Sequence, residues 1–274
     1  MKTKHIESQF ERLGARLKVA PPRRWQAGYA IDIQHDREGE FFELRVPNVR
    51  DEEWEATVMQ ADPARRHLLL LVRSRIGEAA RRNPTEEVLD RFLCGHDERH
   101  WFVAAVPGGA SSVAQAMEAL KPAAVRQAQA SASLNRAQAN RRNNRAFRRQ
   151  GEWFFVPEPA LRVDPKLVLR NEPIRRGGGK AHIVEELHRT GGERVYVGPK
   201  HPNGLTEADY RNLVKQNPAA SGLGWRVMVR NAAVYARGKI RHPDHAVITL
   251  PGWHRVLMNT ENESRSMANV AFLD

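Results

Sequence analysis

The chain has 274 residues, of which 41% are hydrophobic, enough to bury a core in one large domain or two modest ones. It carries 44 Lys and Arg residues against 32 Asp and Glu residues, and the resulting formal charge of +12 favours polyanionic partners. The apolar runs are far shorter than the roughly 20 residues of a membrane-spanning helix, and acidic residues follow the basic N-terminus where a signal peptide would be apolar. Since there is also only one cysteine, we expect a cytoplasmic protein with no membrane partner.

Residues 1–110 are predicted to form an α+β N-terminal part. Spacings of three and four between Phe10, Leu13 and Leu17 favour a helix over residues 7–19. Two β-hairpins follow, because β-prone segments alternate with turn residues up to residue 72. A polar helix is expected within residues 74–90, and a further helix should begin at Ser111 or Ser112.

Residues 111–150 form a basic segment of high helix propensity. From Lys121 to Gln150 there are eight Lys or Arg residues and no acidic residue, and Gly151 is positioned to end the helix. The arginines near its end recur at helical spacing, which predicts a cationic band beside Phe147. This stretch resembles the arginine-rich RNA-binding helices of retroviral export and phage antitermination proteins. The residues that we expect to contact nucleic acid here are Arg136, Arg141, Arg142, Arg145, Arg148 and Arg149.

A second basic segment lies at residues 175–180. Arg175, Arg176 and Lys180 surround three consecutive glycines, whose backbone amides could bind a phosphate. The spacing is not that of a nucleotide-hydrolysing P-loop. We expect these three cations to add to a nucleic-acid interface.

Residues 151–274 are predicted to form a histidine-rich α+β C-terminal part. A strand is expected over residues 153–156, a short helix over 181–189, and a helix over 206–216 capped by Thr206. Strands over 234–240 and 246–250 should be joined through residues 241–245. The whole chain is therefore predicted to be an α+β protein of mostly antiparallel sheets, with a central basic helix linking the N-terminal and C-terminal parts.

Six of the 11 histidines lie between His182 and His254, which raises the question of a metal. In an extended strand His242 and Asp244 would face the same way, as two ligands of a facial iron site do, although Pro243 favours a turn. No cofactor motif is present, and a divalent metal is the cofactor that this region could hold. The candidate ligands are His201, His242, Asp244, His245 and His254.

Three segments, at residues 92–102, 151–157 and 241–260, resemble those of a group of uncharacterised bacterial proteins. That resemblance implies no activity, ligand or catalytic residue.

Three hypotheses follow from the sequence. The leading one is a protein that binds RNA or single-stranded nucleic acid through the basic helix. The second is a metal-dependent enzyme, a nuclease or an oxygenase, that uses the C-terminal histidines. The third is a basic scaffold for an acidic protein partner.

Overall fold

The computed structural model describes residues 3–23, 29–46, 54–75, 87–176 and 179–263. The sheets of this part of the chain are mostly antiparallel, as predicted, and short helices accompany them, a composition consistent with an α+β or a mainly β protein. The chain forms two compact units. One comprises residues up to Ala123 together with a segment that begins at Asn259, and the described part of the other runs from Ala124 to Met258.

The described residues of the first unit form two α-helices and two sheets. Strands β1, β3 and β2 pair in that order, with β1 parallel to β3, and strands β4 to β7 form an antiparallel meander. Its elements are α1 (Thr3–Glu11), β1 (Leu17–Ala20), β2 (Ala30–Asp36), β3 (Gly39–Arg45), β4 (Trp54–Asp62), β5 (His67–Ser74), β6 (Val88–Asp97), β7 (His100–Ala105) and α2 (Val113–Ala119).

Apolar side chains from both sheets form the buried core of the first unit. Phe10 of α1 and Phe42 of β3 are fully buried, and their ring centroids lie 4.8 Å apart. They share one cluster with Leu68 and Leu70 of β5, while Leu69, on the opposite face of that strand, packs towards α2. Strand β5 is therefore apolar on both faces, as the centre of a two-layered unit requires.

The two predicted hairpins and the helix after Ser112 are confirmed. The Ser112 side chain accepts the Gln115 N–H and so caps α2. The helix predicted over residues 7–19 is wrong in its second half, because α1 ends at Glu11 and residues from Leu17 form β1. Gly14 has a φ of +75°, a conformation that ends a helix. Most of the helix predicted within residues 74–90 falls outside the described residues.

The second unit contains a six-stranded sheet in the order β10-β11-β15-β16-β9-β8, and a three-stranded sheet in the order β13-β12-β14. Its elements are α3 (Ala123–Ser131), α4 (Arg136–Ala139), β8 (Arg148–Gln150), β9 (Trp153–Pro157), β10 (Leu169–Ile174), β11 (His182–Thr190), β12 (Glu193–Gly198), β13 (His201–Thr206), α5 (Glu207–Gln216), β14 (Arg226–Arg230), β15 (Ala233–His242) and β16 (His245–Met258). Short 3-10 helices occur in this unit at Pro165–Leu167 and Pro218–Gly222, and in the first unit at Thr260–Glu263.

The core of the six-stranded sheet is built from bulky side chains on neighbouring strands. Trp153 and Phe155 of β9 pack with Leu187 of β11 and Ile240 of β15, and all four are at most 1% exposed. The predicted cap of α5 is confirmed, since the Thr206 side chain accepts the Asp209 N–H. This sheet fixes the ends of β8, β11, β15 and β16 relative to one another.

The central basic helix that was predicted as far as Gln150 is wrong. Helices α3 and α4 are short, residues 141–147 are irregular, and Arg148–Gln150 is strand β8. Asn144 competes with the helix because its side chain accepts the N–H groups of Ala146 and Phe147, at 2.8 and 3.0 Å. Phe147 then packs edge-on against Phe154, with centroids 5.2 Å apart. Local hydrogen bonding and core packing outweigh helix propensity here.

The helix predicted over residues 181–189 is also wrong, because these residues lie in β11. The strand pairs with β10 on one side and β15 on the other, so its backbone is bonded within the sheet interior. Val184 and Leu187 explain why this segment forms a strand, since both side chains are buried in the core of the sheet. The predicted division of the chain at residues 110 and 150 stays a prediction.

Candidate metal centre

A tight hairpin brings two histidines together. Strand β15 ends at His242, and β16 begins at His245 directly opposite it. Only Pro243 and Asp244 lie between the two histidines. Proline is tolerated there because a turn position needs no ladder hydrogen bond from its nitrogen. The two imidazole centroids are 4.7 Å apart. The pair of histidines therefore follows directly from the two-residue turn.

His182 is the third member of the cluster. It is the first residue of β11, and the pairing of Ile183 with Arg241 in β15 brings the preceding residue beside His242. The His182 ring centroid lies 4.1 Å from that of His242 and 5.7 Å from that of His245. One nitrogen from each ring lies within 4.8 Å of the others. We call these three residues the histidine cluster.

The His182 side chain is buried without a hydrogen-bond partner. It is 1% exposed, and neither Nδ1 nor Nε2 has a partner among the described residues. A neutral imidazole has one N–H to donate and one lone pair to accept with, and leaving such a buried group unsatisfied costs about 1–3 kcal/mol. A buried polar group of this kind calls for an explanation, and a metal ion bound to the ring nitrogen supplies one.

The protonation state of the cluster suits metal binding. Burial, together with the neighbouring charges of His242 and His245, lowers the pKa of His182 to about 3. Burial is also the main reason that the pKa of His242 lies below its ordinary value. Both rings are therefore neutral at pH 7, which is the form in which imidazole binds a metal.

The turn between β8 and β9 approaches the cluster with its backbone. Gly151 has a φ of +58°, and a Cβ at this position would lie 2.9 Å from Nε2 of His245 and 3.5 Å from Nε2 of His182. Fully buried Gln150 fixes the turn, since its side-chain amide donates to the Ala246 carbonyl at 2.6 Å. Glycine at residue 151 thus leaves space beside the Nε2 atoms of two of the three histidines.

The donor set fits a zinc-like ion. Zinc binds imidazole nitrogens at about 2.0–2.1 Å, so a tetrahedral site holds its nitrogens about 3.4 Å apart. The present separations of up to 4.8 Å would contract to that value through rotation of His242 and His245, which are only partly buried. Three imidazole ligands without a thiolate are typical of zinc sites. Copper, nickel or cobalt can bind the same ligands in place of zinc.

A carboxylate and an ammonium group lie at the edge of the cluster. The Asp244 backbone N–H donates to Nδ1 of His242 at 3.1 Å, and a metal bound at Nδ1 would replace this hydrogen bond. Both Asp244 side-chain oxygens accept from Nζ of Lys180, at 2.8 and 2.9 Å. Asp244, which the sequence suggested as a ligand, therefore lies beside the cluster with its carboxylate held by a lysine.

The structure brings together two of the predicted ligands and separates two others. His201 lies in the three-stranded sheet and stacks on Trp225, with centroids 5.5 Å apart. His254 is buried in the middle of β16, where its ring bonds to the Gly252 carbonyl at 2.7 Å. Neither belongs to the histidine cluster. His182 was missed because its segment was predicted as a helix, whereas a strand paired with β15 would have placed it beside His242.

The predicted nucleic-acid residues do not form one helical band. Arg145 donates to the Ala132 carbonyl at 3.0 Å, and Arg148 donates to the Thr249 carbonyl at 2.5 Å. Arg141 and Arg175 are exposed, and Lys180 pairs with Asp244. Arg136 lies in α4, and its side chain falls outside the described atoms. Arg176 forms a bridge in the backbone ladder and is partly buried.

Arg142 and Arg149 are the exception, because the structure brings them together. The bridge between Asn143 and Arg148 and the bond from the Arg149 N–H to the Arg142 carbonyl, at 2.8 Å, set these two residues opposite each other. Burial, and then the charge of Arg149, lower the pKa of Arg142 to about 10. Two of the predicted cationic residues are thus neighbours, and both are partly buried.

Comparison with known proteins adds no family to this description. No protein-family model, curated protein or solved structure matches the chain. Within the described part of the chain, no helix is both long and apolar enough to cross a membrane. The histidine cluster is therefore interpreted from its own chemistry.

Proposed function

We propose that this protein binds a divalent transition metal, of the zinc class, through His182, His242 and His245, and that it acts as a metal-dependent enzyme. The observation that carries the proposal is the buried His182 side chain, whose two nitrogens have no hydrogen-bond partner beside two further imidazoles. Without a metal this arrangement is costly; with one, its ring nitrogen becomes a ligand.

The number of ligands supports a catalytic role over a purely structural one. Structural zinc sites are closed by four protein ligands, whereas catalytic sites have three and leave one position for water or substrate. His182, His242 and His245 would hold a zinc ion as neutral ligands, and the chemistry that it would supply there is Lewis acidity and activation of water at neutral pH. Hydrolysis is therefore the reaction class that the cluster favours.

Metal binding to apo-protein and to single-ligand variants tests the proposal. Isothermal titration with zinc should give one site per chain in the parent. His242→Ala and His245→Ala should each weaken binding by more than the 10–100-fold that loss of a supporting residue costs. His201→Ala, a partly buried histidine in the other sheet, is the matched control and should bind as the parent does. The absence of a stoichiometric site in the parent, or equal loss in the control, would refute the proposal.

Nucleic-acid binding is a second proposal, and the opposed Arg142 and Arg149 support it. Two neighbouring guanidinium groups concentrate positive potential on a chain whose formal charge is +12. The test is binding to a structured RNA at several salt concentrations. Each phosphate contact contributes about 0.7–0.9 to the slope of log affinity against log salt. The double variant Arg142→Gln, Arg149→Gln should flatten the slope by about two contacts, and an unchanged slope would remove this pair from the interface.

A further inference from the structure

Asp244 supplies a carboxylate at the edge of the histidine cluster. It lies between His242 and His245 in the two-residue turn, and its negative charge acts on the rings of both His182 and His242. Carboxylate oxygens are good zinc ligands at about 2.0–2.2 Å. A carboxylate beside a divalent ion would bind it unless another group held it.

Lys180 is the group that holds the carboxylate. Its Nζ bonds to both Asp244 oxygens, at 2.8 and 2.9 Å. Both residues lie close to the cluster in the chain, since Asp244 is in the turn between His242 and His245 and Lys180 is two residues before His182.

The ion pair is weak enough to exchange. The Lys180 side chain is 63% exposed and that of Asp244 is 27% exposed. Pairs at such exposure change an equilibrium constant by up to about fivefold, so the pair biases the carboxylate towards the lysine without locking it there. Two arrangements are therefore close in free energy: an open one with three histidine ligands, and a closed one in which Asp244 is the fourth.

We propose that the Lys180–Asp244 ion pair favours the open, three-histidine arrangement of the metal centre, so that the fourth position of the metal binds a small anionic ligand. This inference rests on the proposed metal site. It narrows the substrate class to molecules that present an anionic group to the metal. Lys180 is in this account a positioning residue, because it acts through Asp244.

Azide binding to the cobalt-loaded protein tests the inference. Cobalt(II) replaces zinc and has a visible absorption spectrum that changes when an anion enters its coordination sphere. The parent should bind azide at one site. Lys180→Met releases Asp244 to the metal, so azide should bind about two- to fivefold more weakly, which is the range that loss of one exposed ion pair allows. The double variant Lys180→Met, Asp244→Asn removes the competing carboxylate and should recover the parent's azide affinity.

Lys200→Met, which removes an exposed lysine elsewhere in the same unit, is the control and should bind azide as the parent does. A parent that binds cobalt but gives no azide response, or a Lys180→Met variant with unchanged azide affinity, overturns the inference and leaves the metal site standing. Failure of the parent to bind cobalt overturns the proposed function and this inference together.

Discussion

The histidine cluster depends most on His182, whose surroundings keep it uncharged. Its pKa of about 3 in the folded chain lies below the ordinary value of 6.5, so the folded protein binds fewer protons than the unfolded one between these two values. Stability must therefore fall as the pH drops below 6.5. The neutral His182 ring can bind a metal at pH 7, and the need to protonate it lowers the stability of the fold in acid.

The pH dependence of unfolding in the metal-free protein measures this effect. Between pH 7 and pH 4 the His182 contribution amounts to roughly 3 kcal/mol of lost unfolding free energy. His182→Leu removes the titrating group, so its urea-unfolding free energy should change less with pH by about that amount. Parallel pH curves for the parent and the variant would show that His182 is not a neutral, buried group.

Gly151 offers a test of the space beside the ring nitrogens. An alanine there costs about 1–2 kcal/mol for its left-handed backbone and also places a methyl group 2.9 Å from Nε2 of His245. Gly191→Ala is the matched control, because Gly191 has a φ of +67° and open space around the added Cβ. Both variants should lose the backbone contribution, Gly151→Ala should lose more because of its contact with His245, and only Gly151→Ala should lose zinc affinity. Equal zinc affinity in the two would place the metal away from Gly151.

At the scale of elements, the segment before β8 shows why helix propensity misled the sequence analysis. Arginine, alanine and glutamine favour a helix, but Asn144 bonds two backbone N–H groups within its own turn and Phe147 enters a cluster with Phe154. The same competition applies to β11, where core positions for Val184 and Leu187 decide in favour of a strand. Tertiary packing cannot be seen in a local window of sequence.

Replacement of Asn144 tests the irregular structure of this segment directly. Asn144→Ala leaves the Ala146 and Phe147 N–H groups without their acceptor and should lower the unfolding free energy by about 1–3 kcal/mol. The exposed neighbour Asn143 is the control, and Asn143→Ala should change stability by less than about 0.5 kcal/mol. If the segment were a helix, both alanines would be stabilising, and thermal unfolding distinguishes the two results.

The elements that the sequence did predict are those with strong local signals. The hairpin of β2 and β3, the hairpin of β4 and β5, and the caps at Ser112 and Thr206 all follow from alternation, turn residues or capping side chains. The hairpin that carries His242 and His245 was predicted for the same reason. His182 is 60 residues earlier in the chain, and only the pairing of β11 with β15 brings it to the other two.

At the scale of the whole molecule, the histidine cluster lies within one compact unit. Residues of β11, β15, β16 and the β8–β9 turn supply all of its parts, and all of them lie between Ala124 and Met258. The formal charge of +12 belongs to the entire chain and supports polyanion binding without identifying a site. The metal hypothesis therefore rests on geometry, and the nucleic-acid hypothesis rests mainly on charge.

X-ray absorption at the zinc edge, measured on protein loaded with one equivalent of zinc, tests the metal centre most directly. The histidine cluster predicts three imidazole nitrogens at about 2.0–2.1 Å and one further light ligand, with no sulfur in the first shell. His182→Leu should lower the imidazole count to two or abolish zinc binding. A sulfur ligand, a zinc environment without imidazoles, or an unchanged spectrum in His182→Leu would contradict the account.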